Sequence, residues 1–225
     1  MVLRPEALAH PLAAVLGQVT PLSCPGQFNF HCHTTYSDGS LHPSELARQA
    51  AHLGLRQLAV TDHHSLEAHA EIVATLADLA EAGEPVPEFW RGVEISCLLE
   101  GCLVHVLALG FGADHAPLTP YLQRTSTVGP DLRARPPEAR MAATTASGGL
   151  ALLAHPARYR LPHQRLIAAA AELGFDGAEA WYDYAMQGVW SPTPLVCEEI
   201  AADLNKRGLL LSCGTDTHGL ELRGR

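Results

Sequence analysis

Short apolar runs alternate with amphipathic stretches along most of this chain, and the alternation predicts strands and helices in turn. Residues 1–20 read as a short lead-in helix, with Pro5 near its start and Pro11 breaking or kinking it. His10, beside Pro11, reads as a surface residue, and a linker over 21–26 follows. A first strand runs from Phe28 to His33. The stretch 43–53 predicts a helix with Leu46, Ala50 and Leu53 as its apolar stripe and Gly54 as its stop. A second strand, 57–61, precedes a long helix over 66–82, whose apolar face reads as Leu66, Ala70, Val73, Ala77 and Ala80. The strands 89–95 and 101–109 lie too close in sequence for a crossover helix and predict a hairpin. Proline and glycine then crowd residues 110–137, which read as a long variable loop at the ligand-bearing end of the sheet. Helix and strand alternate from there: a helix over 137–147, a strand over 150–154, a helix over 163–173 and a strand over 177–181. A last helix over 193–207, with Pro194 in its first turn, leads to a strand over 209–212.

Seven strands, mostly separated by helices, argue for an α/β fold: a closed or nearly closed, distorted seven-stranded β/α barrel related in plan to the TIM barrel. The expected organisation is a lead-in and linker over 1–26 and one barrel domain over 27–225. Apolar residues make up 47% of the 225 and charged residues only 17%, enough for one substantial core. Lys and Arg number 15 against 24 Asp and Glu, a formal charge of −9 that leaves no basic face for long duplex nucleic acid. The six cysteines are scattered without a Cys-x-x-Cys pair, and no apolar run is long enough for a membrane span. Free, buried thiols in a cytoplasmic protein are the expectation.

The polar residues at the strand ends change the picture most. His31 and His33 alternate with Cys32, so along a strand both imidazoles point one way. Asp38 follows in a turn that Gly39 allows to fold back. Further along, His63, Glu94, His105, His155, Asp216 and His218 stand just after or at the C-terminal ends of apolar, strand-like runs, which predicts a site at that face of the barrel. Side chains of this type are rarely buried unless paired or ligating, so their recurrence points to a multinuclear metal site.

This pattern resembles the polymerase and histidinol phosphatase (PHP) family from Phe28 to His218. His31-x-His33, Asp38, Thr61–Asp62–His63, Gly92–Val93–Glu94, His105, His155 and Asp216-x-His218 fall in the family's order. The resemblance implies a metal-dependent phosphoesterase holding two or three divalent ions (Zn, Mn or Fe) and using a metal-activated water. It implies three ligand groups: His31, His33, Asp216 and a bridging Glu94; Glu94, His105 and His155; and Asp38, His63 and His218. It also implies a small phosphorylated metabolite, a nucleotide or a short RNA 5′ end as substrate. The closest-looking branch is the small nucleotide and oligoribonucleotide phosphoesterases, although the span between His105 and His155 is shorter here than is common there. A histidinol-phosphate-type phosphatase and a non-catalytic, metal-stabilised scaffold are the alternatives. Oligomeric state is left open.

Further residues carry two readings each. Asp62 either orients a liganding imidazole or caps the following helix. His64 either takes part in proton transfer or is a turn histidine. Arg158 suits bidentate phosphate binding or the plain surface. Arg133 in the variable loop is a candidate for one more phosphate contact. Glu179 and Tyr182 either line the pocket, an aromatic there stacking on a base, or belong to barrel packing.

Overall fold

The computed structural model describes residues 3–122, 137–187 and 189–224. Its centre is a seven-stranded sheet in sequential order: β1 (Phe28–Asn29), β2 (Gln57–Val60), β3 (Glu88–Leu99), β4 (Cys102–Leu109), β5 (Leu150–Leu153), β6 (Gly177–Trp181) and β7 (Leu210–Cys213). The sheet closes on itself after β1. Phe30 N donates to Cys213 O at 3.0 Å, and Cys32 bridges Thr217 in parallel. Strands such as Leu150–Leu153 and Gly177–Trp181 are buried at every position, as expected for a sheet covered on both faces. The helices on its outside are α1 (Pro5–Leu8), α2 (Pro11–Leu16), α3 (Pro43–His52), α4 (Ala68–Glu81), α5 (Pro137–Ala146), α6 (His163–Glu172) and α7 (Val196–Arg207). Among the described residues, no helix is long and apolar enough to cross a membrane.

One strand runs against the rest. β4 is antiparallel to both β3 and β5, while every other neighbouring pair is parallel. The cause is local. Leu99 pairs with Cys102, so only Glu100 and Gly101 make the turn, and both have positive φ (53° and 68°), the conformation that two-residue hairpins favour. Arg165 from α6 holds the Glu100 carboxylate at 2.6 Å, and Arg160 donates to Gly101 O at 2.6 Å. The expected placement of every ligand at a strand's C-terminal end is therefore corrected for two of them: His105 lies early in the reversed β4, paired with Ser96, and Glu94 lies inside β3.

Several expectations are corrected. The stripe assigned to α4 is its solvent face: Ala70, Val73, Ala77 and Ala80 are exposed, whereas Ile72, Leu76 and Leu79 are buried. Alanine carries too little apolar area to set a helix's phase against isoleucine and leucine. Pro194 precedes α7 instead of sitting in its first turn. The segment after β4 leaves the sheet at the end away from His105, since Gly110 N donates to Arg91 O and Gly112 N to Ser147 O. It returns toward the ligand-bearing end through a 3₁₀ turn, Ala116–Tyr121, which packs Leu118 and Tyr121 against Val93 and Ile95. Residues 123–136 of this loop lie outside the described residues.

The N-terminal helices belong to the main core through Leu3, Ala7, Leu12 and Leu16. Arg4 forms a two-pronged ion pair with the fully buried Asp176 (3.0 and 2.8 Å), whose carboxylate also accepts from Ala151 N. His10 is partly buried rather than a free surface residue. Its Nδ1 accepts from Leu12 N, capping α2, and its Nε2 donates to Gly110 O.

Candidate metal centre

His31 and His33 leave the end of β1 on the same side, and their Nε2 atoms lie 3.2 Å apart. Glu94 Oε2 is 3.1 Å from each of them, and Asp216 Oδ1 is 3.3 Å from the first and 3.2 Å from the second. Ligand atoms sharing one small divalent ion at about 2.0–2.2 Å stand about 3.0–3.5 Å apart in octahedral or tetrahedral geometry. The four atoms meet that requirement, and all four side chains are buried. Glu94 turns its other oxygen elsewhere. Oε1 lies 2.8 Å from His105 Nδ1 and 3.2 Å from His155 Nε2, and His63 Nδ1 approaches Oε2 at 3.5 Å. A third, more open group surrounds Asp38. His218 Nε2 is 3.2 Å from Asp38 Oδ1, His63 Nε2 is 3.7 Å from Oδ2, and His33 stands on its inner side. Asp38 is 45% exposed and His105 27%, where the side chains of the first group are buried, so solvent reaches the Asp38 and His105 sides of the centre.

The electrostatics favour a cation at these points. Burial opposes ionisation of Glu94 and Asp216, but facing imidazoles, His31 first, hold both carboxyls well below the usual range. Burial likewise opposes charge on His33, yet its hydrogen bonds with Asp216 and Glu94 push it up to about 9. Protonating both His31 and His33 would set two N–H groups against each other across 3.2 Å, a contact that a single cation replaces with four attractions. His63 goes the other way, lowered to about 4 chiefly by burial, so its imidazole is the neutral, ligating form. His105 Nδ1 is buried and lies 2.8 Å from Glu94 Oε1. An imidazole nitrogen and a carboxylate oxygen at that separation can share one cation, and the donor set fits one.

These groups line a cavity of about 340 Å³ bounded by Asp38, His63, Glu94, His105, His155, Arg158, Asp216 and His218. Arg158 sits on its wall, donating through Nη1 to Asp216 Oδ2 (2.9 Å) and to the Tyr182 hydroxyl (3.0 Å). Asp216 thus faces the first group with one oxygen and Arg158 with the other.

The remaining sequence candidates stand behind or beside these groups, and the structure gives each the following partners. Asp62 is buried and touches no imidazole, nor does its side chain cap α4. Its carboxylate accepts from Thr34 N (2.7 Å), Thr34 Oγ1 (2.6 Å) and Ser37 Oγ (2.7 Å). His64 has both ring nitrogens committed to protein. Nδ1 donates to Tyr121 O at 2.8 Å and Nε2 accepts from Ser96 N at 3.2 Å, which leaves no proton for a substrate. Glu179 is wholly buried and meets His31 Nδ1 with both oxygens at 3.2 Å, while also accepting from His155 N. Its carboxylate therefore stands behind the His31 ring and does not line the cavity. Tyr182 is 1% exposed, so it offers no stacking face; its hydroxyl donates to Asp216 Oδ2 at 2.6 Å. Arg133 lies outside the described residues. Tyr159 was missed: its hydroxyl accepts from His105 N at 2.8 Å, and its ring packs on His155. A glutamate inside the otherwise apolar run Gly177–Trp181 was the one available signal for Glu179.

Residues 29–127 match the family model of the PHP domain. A 5′-3′ exoribonuclease from Haemophilus influenzae is 32% identical over 192 residues, which cover 78% of this chain and 65% of that protein. A second 5′-3′ exoribonuclease, from Escherichia coli, is 32% identical over 95 residues, 42% of this chain and 31% of its own. The chain therefore spans 65% or less of the length of these curated relatives. Two solved structures share the fold at 21% identity. One, from Bifidobacterium adolescentis and classed as a metal-dependent phosphoesterase, has a TM-score of 0.68 over 89% of this chain and 90% of that one. The other, an amidohydrolase from Chromobacterium violaceum with bound sulfate and no metal, has a TM-score of 0.69 over 86% and 88%.

Proposed function

We propose, for a chain that has the PHP-domain fold of metal-dependent phosphoesterases, that it hydrolyses a phosphate ester of a nucleotide or short oligonucleotide with two or three divalent ions (Zn, Mn or Fe). The observation that carries this reading is the division of Glu94, one oxygen toward His31 and His33 and the other toward His105 and His155. A carboxylate shared in this way suits adjacent cations. His31, His33, Glu94 and Asp216 would hold one ion, and Glu94 with His105 and His155 a second, with His63 alongside. Asp38, His63 and His218 would hold the outermost. Such ions make water acidic enough to attack at neutral pH and neutralise charge on phosphoryl oxygens.

The protein's own groups bind and orient. Arg158 is cationic and partly exposed at the cavity wall, with its Nη2 and Nε groups turned to no partner among the described residues. Those N–H groups suit a phosphate oxygen, and Tyr182 and Asp216 fix the guanidinium from behind. The exoribonucleases among the relatives favour a nucleotide or an RNA 5′ end over a phosphorylated metabolite such as histidinol phosphate.

The test is turnover by metal-analysed, Mn-supplemented protein on a panel. It comprises p-nitrophenyl phosphate, its bis ester, histidinol phosphate, 3′,5′-bisphosphoadenosine and a 5′-phosphorylated RNA trimer. The expected result is activity on the nucleotide or RNA members that chelation abolishes. Fully metal-loaded protein that turns over no member overturns the proposal.

A further inference from the structure

The geometry points to Asp62 and Ser37 as a positioning pair that sets the tautomer and aim of His33 for the buried metal site. This inference rests on the metal-binding reading above. His33 offers Nε2 to the group formed with His31, Glu94 and Asp216, so its ring proton must reside on Nδ1. The nearest acceptor to that atom is Ser37 Oγ at 3.4 Å, ahead of Asp38 Oδ1 at 3.6 Å. A serine hydroxyl has one proton to give. The buried Asp62 Oδ1 takes it at 2.7 Å, closer than the 3.3 Å alternative at Asp38 Oδ1. Ser37 is then left with lone pairs facing His33 Nδ1–H. The chain of bonds runs from imidazole to hydroxyl to buried carboxylate.

Four further hydrogen bonds hold the relay at fixed length. Thr34, next to His33, donates both its N–H and its hydroxyl to Asp62, and Ser37 N and Gly39 N both donate to Thr34 O. Gly39 lies so close that a Cβ there would stand 2.5 Å from the His33 carbonyl carbon, so the turn can close only over glycine. Asp62 therefore reaches the site from β2 without touching any ligand, through a turn it pins at three points. It matches the role of Glu179, which meets His31 Nδ1 directly. Each of the opening pair of histidines thus has its own carboxylate behind it, one in contact and one through a hydroxyl.

The experiment titrates Co²⁺ into the metal-free 225-residue chain, reading affinity by calorimetry and the ligand set by visible absorption. Wild type must bind Co²⁺ for the metal reading itself to stand, which separates its failure from failure of the relay. S37A removes only the middle link and is expected to weaken the first equivalent about tenfold and to alter its absorption. D62N keeps an oxygen for Thr34 N and Ser37 but loses the charge, and is expected to weaken it by about the same factor. The double variant should be about tenfold weaker, not about a hundredfold, because both changes break one chain. S37T, which retains the hydroxyl, should bind as wild type does. S37A binding with wild-type affinity and spectrum overturns the inference, as does a double variant whose losses multiply. If D62N fails to fold, the contrast between S37A and S37T decides alone.

Discussion

Replacing Glu94 by glutamine separates the two halves of the centre. The amide keeps the volume of a side chain that is 1% exposed, so packing is preserved. It keeps one oxygen, which can serve either His31 and His33 or His105 and His155, but not both pairs. The other end becomes an NH₂ group aimed at lone pairs, and the charge that draws cations to both sides is gone. At least one metal equivalent should be lost. Charge stabilisation by an ion is worth several kcal/mol, and at about 1.4 kcal/mol per tenfold a loss of about 4 kcal/mol lowers kcat/KM roughly 10³-fold. Bound metal would be counted by elemental analysis and turnover followed on the preferred panel substrate, with circular dichroism confirming the fold. A folded variant with unchanged metal content and unchanged turnover would refute the assignment of Glu94 as the shared ligand.

Three other outcomes follow from the same geometry. Glu179→Gln weakens the partner that fixes His31, so metal affinity should fall about 10–100-fold, with turnover recovering at saturating metal; unaltered affinity by calorimetry would contradict that role. Arg4→Ala leaves the buried Asp176 without its cation, a loss of about 3 kcal/mol that should lower Tm by about 6–12 °C; a melting curve within two or so degrees of wild type, roughly the scatter of such scans, would sink the argument. The thiols should resist modification, since all six cysteines are free and buried and burial pushes Cys97 up to about 12 and Cys197 up to about 11. At pH 8 an unfolded cysteine is about one quarter thiolate against about one part in 10⁴ at a pKa of 12, so disulfide-exchange labelling of Cys97 should be at least about 10³-fold slower in the native chain. Rapid labelling of that residue without denaturant would show the core to be open.

Much of this protein was legible in its sequence because the signals were local. The alternation of periods gave the strands and helices, proline and glycine marked most breaks, and the short span between the strands read at 89–95 and 101–109 predicted the hairpin that Glu100–Gly101 turns. Histidines and carboxylates beside apolar runs pointed to a metal centre, since the chemistry of a donor is a property of the residue type. What each polar group does at that centre was not local. Glu179 meets His31 across 148 positions, Asp62 meets Thr34 and Ser37 across 28 and 25, and the His64 ring is taken up by Tyr121 and Ser96. A buried carboxylate with three neutral donors and one facing an imidazole look alike in a sequence. The same limit applied to α4, where several apolar phases are available to an alanine-rich helix and only the shape of the core selects one. By itself the sequence determined which elements form and which side chains can bind metal, because both depend on residue type and short spacing. The tertiary structure alone decided which of those side chains share a point in space and which stand behind them, because register, strand direction and burial are set by contacts between distant parts of the chain.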